Sequence, residues 1–174
     1  MSVFAVYESS TGNVVGAAKA IGVPAPTAQA LVGDALPVRL SLGTGDVATL
    51  SLRGRELALH EADDQPEVFV EPLAYGVTRV PGQPPKPALA KLPVLPEAPT
   101  FDTVGLLVKL PKNPAEDTAV FALVSEGQET LPLTGTITKD TDHVSLPVTV
   151  TAGAHAVLLL VAGWAGRLEE VKKP

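Results

Sequence analysis

The stretch that decides the fold is PGQPPKPALAKLPVLPEAP, residues 81–99. Seven of its nineteen residues are proline. Proline removes backbone donors and fixes φ, so the segment reads as neither a central strand nor a helix interior. It reads as an extended spacer. In polyproline II geometry it would span about 3.1 Å per residue, on the order of 55 Å in all, enough to hold two small modules apart or to lie across a neighbouring surface. Working outward, residues 1–80 form one expected module and residues 100–174 another. Each is of a size at which a core forms but stays marginal without a staple or a partner.

No cysteine is present to supply that staple. Disulfides, iron–sulfur clusters, thiolate zinc sites and thiol catalysis are thereby excluded, which leaves association as the remaining way to add buried area. Apolar residues make up 45% of the chain, enough to bury against chain entropy, so the sequence is that of a folded protein. Aromatics are only 4%, which makes the cores aliphatic and leaves few platforms for stacking bases or sugars. The net charge of −6 divides as −4 over residues 1–80, +1 over 81–99 and −3 over the remainder. No basic face is available to replace phosphate counterions, which argues against nucleic acid. MSVFAVYESS lacks the basic and apolar regions of a secretory signal, and the longest apolar run, 156–166, is about half the length of a membrane-crossing helix. The expectation is a soluble protein with no membrane partner.

Read in order, Val3–Tyr7 and Val14–Ala18 are β-prone runs around the turn formers Glu8-Ser9-Ser10-Thr11-Gly12-Asn13, which is a hairpin signature. Thr27–Gly33 predicts two helical turns, with Thr27 as N-cap and Gly33 as the stop. Pro37–Leu42 and Leu50–Arg53 alternate as strands about the turn Gly43-Thr44-Gly45-Asp46. A further hairpin is expected at Gly54, leading into Arg55–Glu61, with shorter strands at Val68–Val70 and Ala74–Val80. Six to eight short strands with tight turns predict a small barrel or sandwich.

In the second half, Thr103–Leu110, Thr118–Val124, Leu131–Thr138 and Val144–Val150 read as strands, with Pro147 placing the last of these at an edge. Ala156–Val161 is apolar on both sides and is expected to be central and covered on both faces. Arg167–Lys173 closes the chain as a charged last segment. Spacing of roughly ten to fifteen residues per strand and turn predicts an immunoglobulin-like sandwich without the cysteine pair of true immunoglobulin domains. The fold class expected is mainly β: two small antiparallel barrel or sandwich modules, the second immunoglobulin-like, joined by a proline-rich linker.

The pattern Val6-Tyr7-Glu8-Ser9-Ser10-Thr11-Gly12-Asn13-Val14-Val15-Gly16 resembles the opening hairpin of small tail and fibre-associated proteins of bacteriophages and phage-like contractile particles. The resemblance implies a structural role in such a particle and brings no functional residue with it.

Candidate chemistry is sparse. Gly43-Thr44-Gly45-Asp46-Val47-Ala48 fits the dinucleotide fingerprint G-x-G-x-x-A, but a strand pattern follows where a helix is required, so it reads as a turn. His60, Glu61, Asp63 and Asp64 place an imidazole and three carboxylates together, and Asp140-Thr141-Asp142-His143 offers an Asp-x-Asp. Each reads more simply as a solvated loop or turn. Nucleophilic catalysis needs a serine beside a histidine with an orienting acid. His60, His143 and His155 lie in or beside turns, and no Gly-x-Ser-x-Gly elbow occurs. His155 is expected to cap or pack the start of the buried strand. Trp164 and Tyr75 are potential anchors for a partner but fit packing better, and Pro84-Pro85-Lys86-Pro87 loosely resembles a ligand of proline-recognition domains but fits a tether better.

No catalytic, cofactor-binding or metal-ligating residue is assigned, and no cofactor or small-molecule substrate is expected. The function expected is that of a non-enzymatic adaptor or decorating subunit of a phage or phage-tail-like particle. Its partners would be further copies and neighbouring particle proteins, in a virion or cytoplasmic particle. A carbohydrate-binding or adhesive pair of surface modules is the alternative.

Overall fold

The turn formers at residues 9–13 fold the chain back on itself, so that Ser2–Glu8 (β1) and Val14–Ala20 (β2) pair as an antiparallel hairpin with Val3 opposite Lys19 and Val6 opposite Gly16. The structure is a computed structural model and describes residues 2–22, 24–62, 65–78 and 88–174. Thr27 caps the short helix Ala28–Val32 (α1), its hydroxyl accepting from the Ala30 amide, and Gly33 ends it at φ 69°. Ala35–Ser41 (β3) and Val47–Arg53 (β4) pair about the Gly43–Asp46 turn. In β4 the alternation is clean, with Ala48, Leu50 and Leu52 buried and the residues between them exposed.

No hairpin forms at Gly54. Leu57–Ala62 (β5) pairs instead with β1, Ala5 opposite His60, giving a three-stranded sheet in the order β2-β1-β5. Gly54 serves a close approach: its amide donates to the Asp34 carbonyl, and a Cβ there would come within 2.7 Å of the Gly33 carbonyl oxygen.

Val68–Val70, expected as a strand, is the single helical turn Glu67–Val70 (α2). Pro66 stands at φ −61° and ψ −26°, already helical, and its missing amide is not needed at a helix entry. The turn buries Val68 and leaves Val70 80% exposed, a one-residue anchor that β propensity does not anticipate. Tyr75–Thr78 (β6) pairs with Ala88–Lys91 (β7), Tyr75 opposite Lys91. The proline-free Ala-Leu-Ala-Lys run of the expected spacer is thus a strand, while residues 79–87, including Pro84–Pro87, lie outside the described residues. The core here is Val3, Ala5, Val14, Val68 and Tyr75. Its described strands form open sheets, so of the small barrel or sandwich expected from the sequence the closed barrel does not form among the described residues.

The remaining strands make a β-sandwich-like pair of antiparallel sheets. They are Thr100–Phe101 (β8), Gly105–Lys109 (β9), Thr118–Glu126 (β10), Glu129–Ile137 (β11), His143–Pro147 (β12), Gly153–Val161 (β13) and Trp164–Lys173 (β14). One sheet runs β11-β10-β13-β14 and the other β12-β9-β8. Residues 155–161 of β13 are buried without interruption, as a strand covered on both faces must be. β12 sits at an edge, where Pro147 costs no ladder hydrogen bond. At Gly135 of β11 an added Cβ would meet the Leu146 Cδ2 of β12, so a larger residue there would have to displace that buried side chain.

By its contacts the chain divides into two units. One comprises Met1–Leu36, Leu52–Val94 and Ala162–Gly166, the other Pro37–Ser51, Leu95–Val161 and Arg167–Pro174. The sequence suggested one continuous stretch on each side of 81–99; the units are instead interleaved.

Candidate functional site

Three buried polar residues of the first unit, Glu8, Thr11 and Asn13, meet at the β1–β2 turn. Glu8 is 3% exposed, and a carboxylate so placed must be hydrogen-bonded to be tolerated. Its Oε1 accepts from the Ser10 amide at 3.1 Å, and its Oε2 accepts from the Thr11 amide and the Thr11 hydroxyl, each at 2.9 Å, and from the Ser10 hydroxyl at 2.7 Å. Gly12, at φ 76°, follows in a conformation that suits glycine, with the Val77 carbonyl oxygen 2.9 Å from where a Cβ would stand. Its carbonyl accepts from the Val77 amide, and Asn13 bridges to Gly76. Asn13 is fully buried: Nδ2 donates to the Trp164 carbonyl at 2.7 Å, while Oδ1 has no partner among the described residues.

In the second unit the buried polar centre is His155, 4% exposed. Its Nδ1 lies 2.6 Å from the Ser125 carbonyl and its Nε2 2.8 Å from the Thr151 carbonyl, with Phe101 edge-on to the ring at 5.5 Å. The Glu126 carboxylate is 3.5 Å from Nδ1. The Ser125 hydroxyl accepts from the Ala156 amide at 2.8 Å. The histidine expected to cap or pack the start of β13 thus addresses two backbone carbonyls, and neither ring nitrogen is open to serve a nucleophile as base.

Asp102 is a second polar staple. Its Oδ1 accepts from the amides of Val104 and Gly105, and both of its oxygens accept from the Ser145 hydroxyl at 2.8–3.0 Å. The Gly105 amide, then the Ser145 hydroxyl, hold its carboxyl below the ordinary value of 3.8. Ser145 therefore spends its proton on a carboxylate, the reverse of what an activated nucleophile needs.

The motifs singled out in the sequence come apart in three dimensions. His60 is buried on β5 and Glu61 exposed, on opposite faces as consecutive strand residues must be, while Asp63 and Asp64 lie outside the described residues. Asp142 and His143 pair at 2.7 Å on the surface, an interaction that lowers the Asp142 carboxyl. Among the described residues no three His, Asp or Glu side chains gather as a metal site would require. Gly43–Ala48 is a hairpin turn running into β4, with Gly45 at φ 91°. A shallow cleft of ≈ 370 Å³ lies beside it, lined by Thr44, Asp46, Ser125, Gly127, Gln128 and Ala154, and its Asp46 already accepts from the Thr44 hydroxyl. Tyr75 is buried and Trp164 half-buried. What sequence reasoning missed is the interior carboxylate of Glu8: three hydroxyl and turn residues directly after it were the available signal.

No helix among the described residues is long and apolar enough to cross a membrane. Comparison with known protein families, curated proteins and solved structures finds no match for this chain.

Proposed function

We propose that this chain is a non-enzymatic structural subunit that works through the surfaces of its β units, as an adaptor or decorating protein of a phage or phage-tail-like particle. The observation that carries the reading is where the buried polar chemistry goes. Glu8, Ser125, His155 and the half-buried Asp102 spend their donors and acceptors on the chain's own turns and strands, which leaves surfaces rather than a pocket as the working parts. The sandwich of the second unit we read as immunoglobulin-like. Numbering its seven strands β8–β14 in order, one sheet holds the first, second and fifth, and the other the third, fourth, sixth and seventh. That order fits an immunoglobulin-like sandwich whose fourth strand pairs with the third, an architecture recurrent in docking modules. The assignment to a particle rests on the resemblance of the Val6–Gly16 hairpin.

The test is co-sedimentation. In particle preparations from its source the chain is expected to pellet with assembled particles and to be located on them by immuno-electron microscopy. A chain that remains in the supernatant of every such preparation overturns the reading.

A further inference from the structure

We propose that the outer edge of β14 over Glu169–Lys173 pairs with the same edge of a second copy, antiparallel about Val171, so that the two four-stranded sheets continue across a two-fold axis. This names a partner for the docking surfaces proposed above and rests on that reading.

The argument begins with which sheet edges are open. A sheet edge is a row of unpaired amides and carbonyls that recruits another strand unless it is shortened, capped or broken by proline. β8 has two residues, β12 ends in Pro147 and β11 carries Pro132 at its middle. β14 has ten residues and no proline, and it is the end strand of its sheet. At its start the Ala165 amide is taken by the Pro93 carbonyl. From Arg167 onward no backbone hydrogen bond beyond its own sheet is made among the described residues.

The second observation is the charge pattern on that open stretch, Glu169-Glu170-Val171-Lys172-Lys173. Reversed, it is its own electrostatic complement. Antiparallel pairing about Val171 sets Glu169 against Lys173 and Glu170 against Lys172, each twice by symmetry, and opposite charges directly across a pair stabilise it. A slip of two residues in either direction sets Glu170 against Glu170 or Lys172 against Lys172, and parallel pairing matches like with like throughout. A lysine placed only to guard an edge has no need of this symmetry. Lys172 can reach across, its side chain being 79% exposed and its ion pair with Glu170 long at 4.0 Å, while the Lys173 ammonium donates to the Val150 carbonyl at 2.8 Å and must be shared with the partner's Glu169. Glu169 and Glu170 are held in place, the first by Arg167 at 2.6 Å and the second by the Gly43 amide, so the acidic half of the pattern is fixed before a partner arrives. An edge of this length buries less than a standard protein interface, which makes the pairing weak and reversible.

The experiment is sedimentation equilibrium of the full chain from about 10 µM to 1 mM. A reversible dimer is expected, weakened several-fold on going from low to high salt. Lys172→Glu together with Lys173→Glu, and separately Glu169→Lys together with Glu170→Lys, are expected to be monomers with an unchanged circular dichroism spectrum, and an equimolar mixture of the two is expected to dimerise. If a double variant fails to fold, Lys172→Glu alone, at an exposed side chain, is expected to weaken the dimer about tenfold. A wild-type chain that stays monomeric to 1 mM, or a dimer that keeps its affinity in Lys172→Glu, overturns the proposal. If the monomeric chain still pellets with particles, only the β14 pairing falls and the adaptor reading stands.

Discussion

Among the buried ionisable side chains of the described residues, Glu8 and His155 are satisfied in opposite ways. Glu8 finds all its donors within three residues, on Ser10 and Thr11 of its own turn. His155 reaches 30 positions back to Ser125 and four back to Thr151. The first unit's cluster of Val3, Ala5, Val14, Val68 and Tyr75 holds only one side chain larger than valine, and a self-contained polar turn fixes the hairpin on which that cluster rests. The second unit is already specified by uninterrupted apolar strands, and its histidine ties the beginning of one strand to the end of another. A buried polar side chain can therefore define a fold locally or staple it at a distance.

The contrast can be broken first at Glu8. Glu8→Ala takes the acceptor from the Ser10 amide and from the buried Thr11 amide and hydroxyl, a loss of about 2–3 kcal/mol in chemical denaturation. A loss below about 0.5 kcal/mol would show that the turn stands without its carboxylate. His155→Leu keeps the ring's approximate volume but strands two carbonyl oxygens. Because carbonyls tolerate incomplete bonding better than amides, the expected loss is smaller, about 1–2 kcal/mol by the same measurement. A larger loss than that of Glu8→Ala would reverse the ranking.

The smallest effect belongs to Asp102. Its folded carboxyl is held below 3.8, mainly by the Gly105 amide and the Ser145 hydroxyl. A depressed folded value gives stability that is present above the unfolded value and lost as pH falls through the folded one. The melting temperature is therefore expected to fall on acidification below about pH 4, and Asp102→Asn is expected to flatten part of that slope. An identical slope in the variant would remove Asp102 from the account.

What could be read in the chain was what neighbours in sequence decide. Thr27 and Gly33 bracket α1 because capping is local, and the turns at Gly12 and Gly45 are set by residues that adopt positive φ. Ala156–Val161 declares its burial by having no polar face. Partners far along the chain were not legible. The sequence offers β4 and β5 as a hairpin, yet β5 crosses to β1, because alternation says which face of a strand is wet and not which strand lies beside it. Val68–Val70 failed for a related reason: one buried valine and a helical proline outweigh three β-prone side chains. Of the candidate chemistry, the turn formers around Glu8 were visible, but the inward course of its carboxylate depends on the strands that cover it.

The bond from Asn13 to the Trp164 carbonyl joins positions 151 residues apart. On the ribosome the β1–β2 hairpin emerges long before its distant acceptor is made, so the amide of Asn13 must wait, solvated or otherwise engaged, until Trp164 has been synthesised. The corner at Asn13 is thus built early and sealed late, and a product that stops short of Trp164 would leave it unsealed.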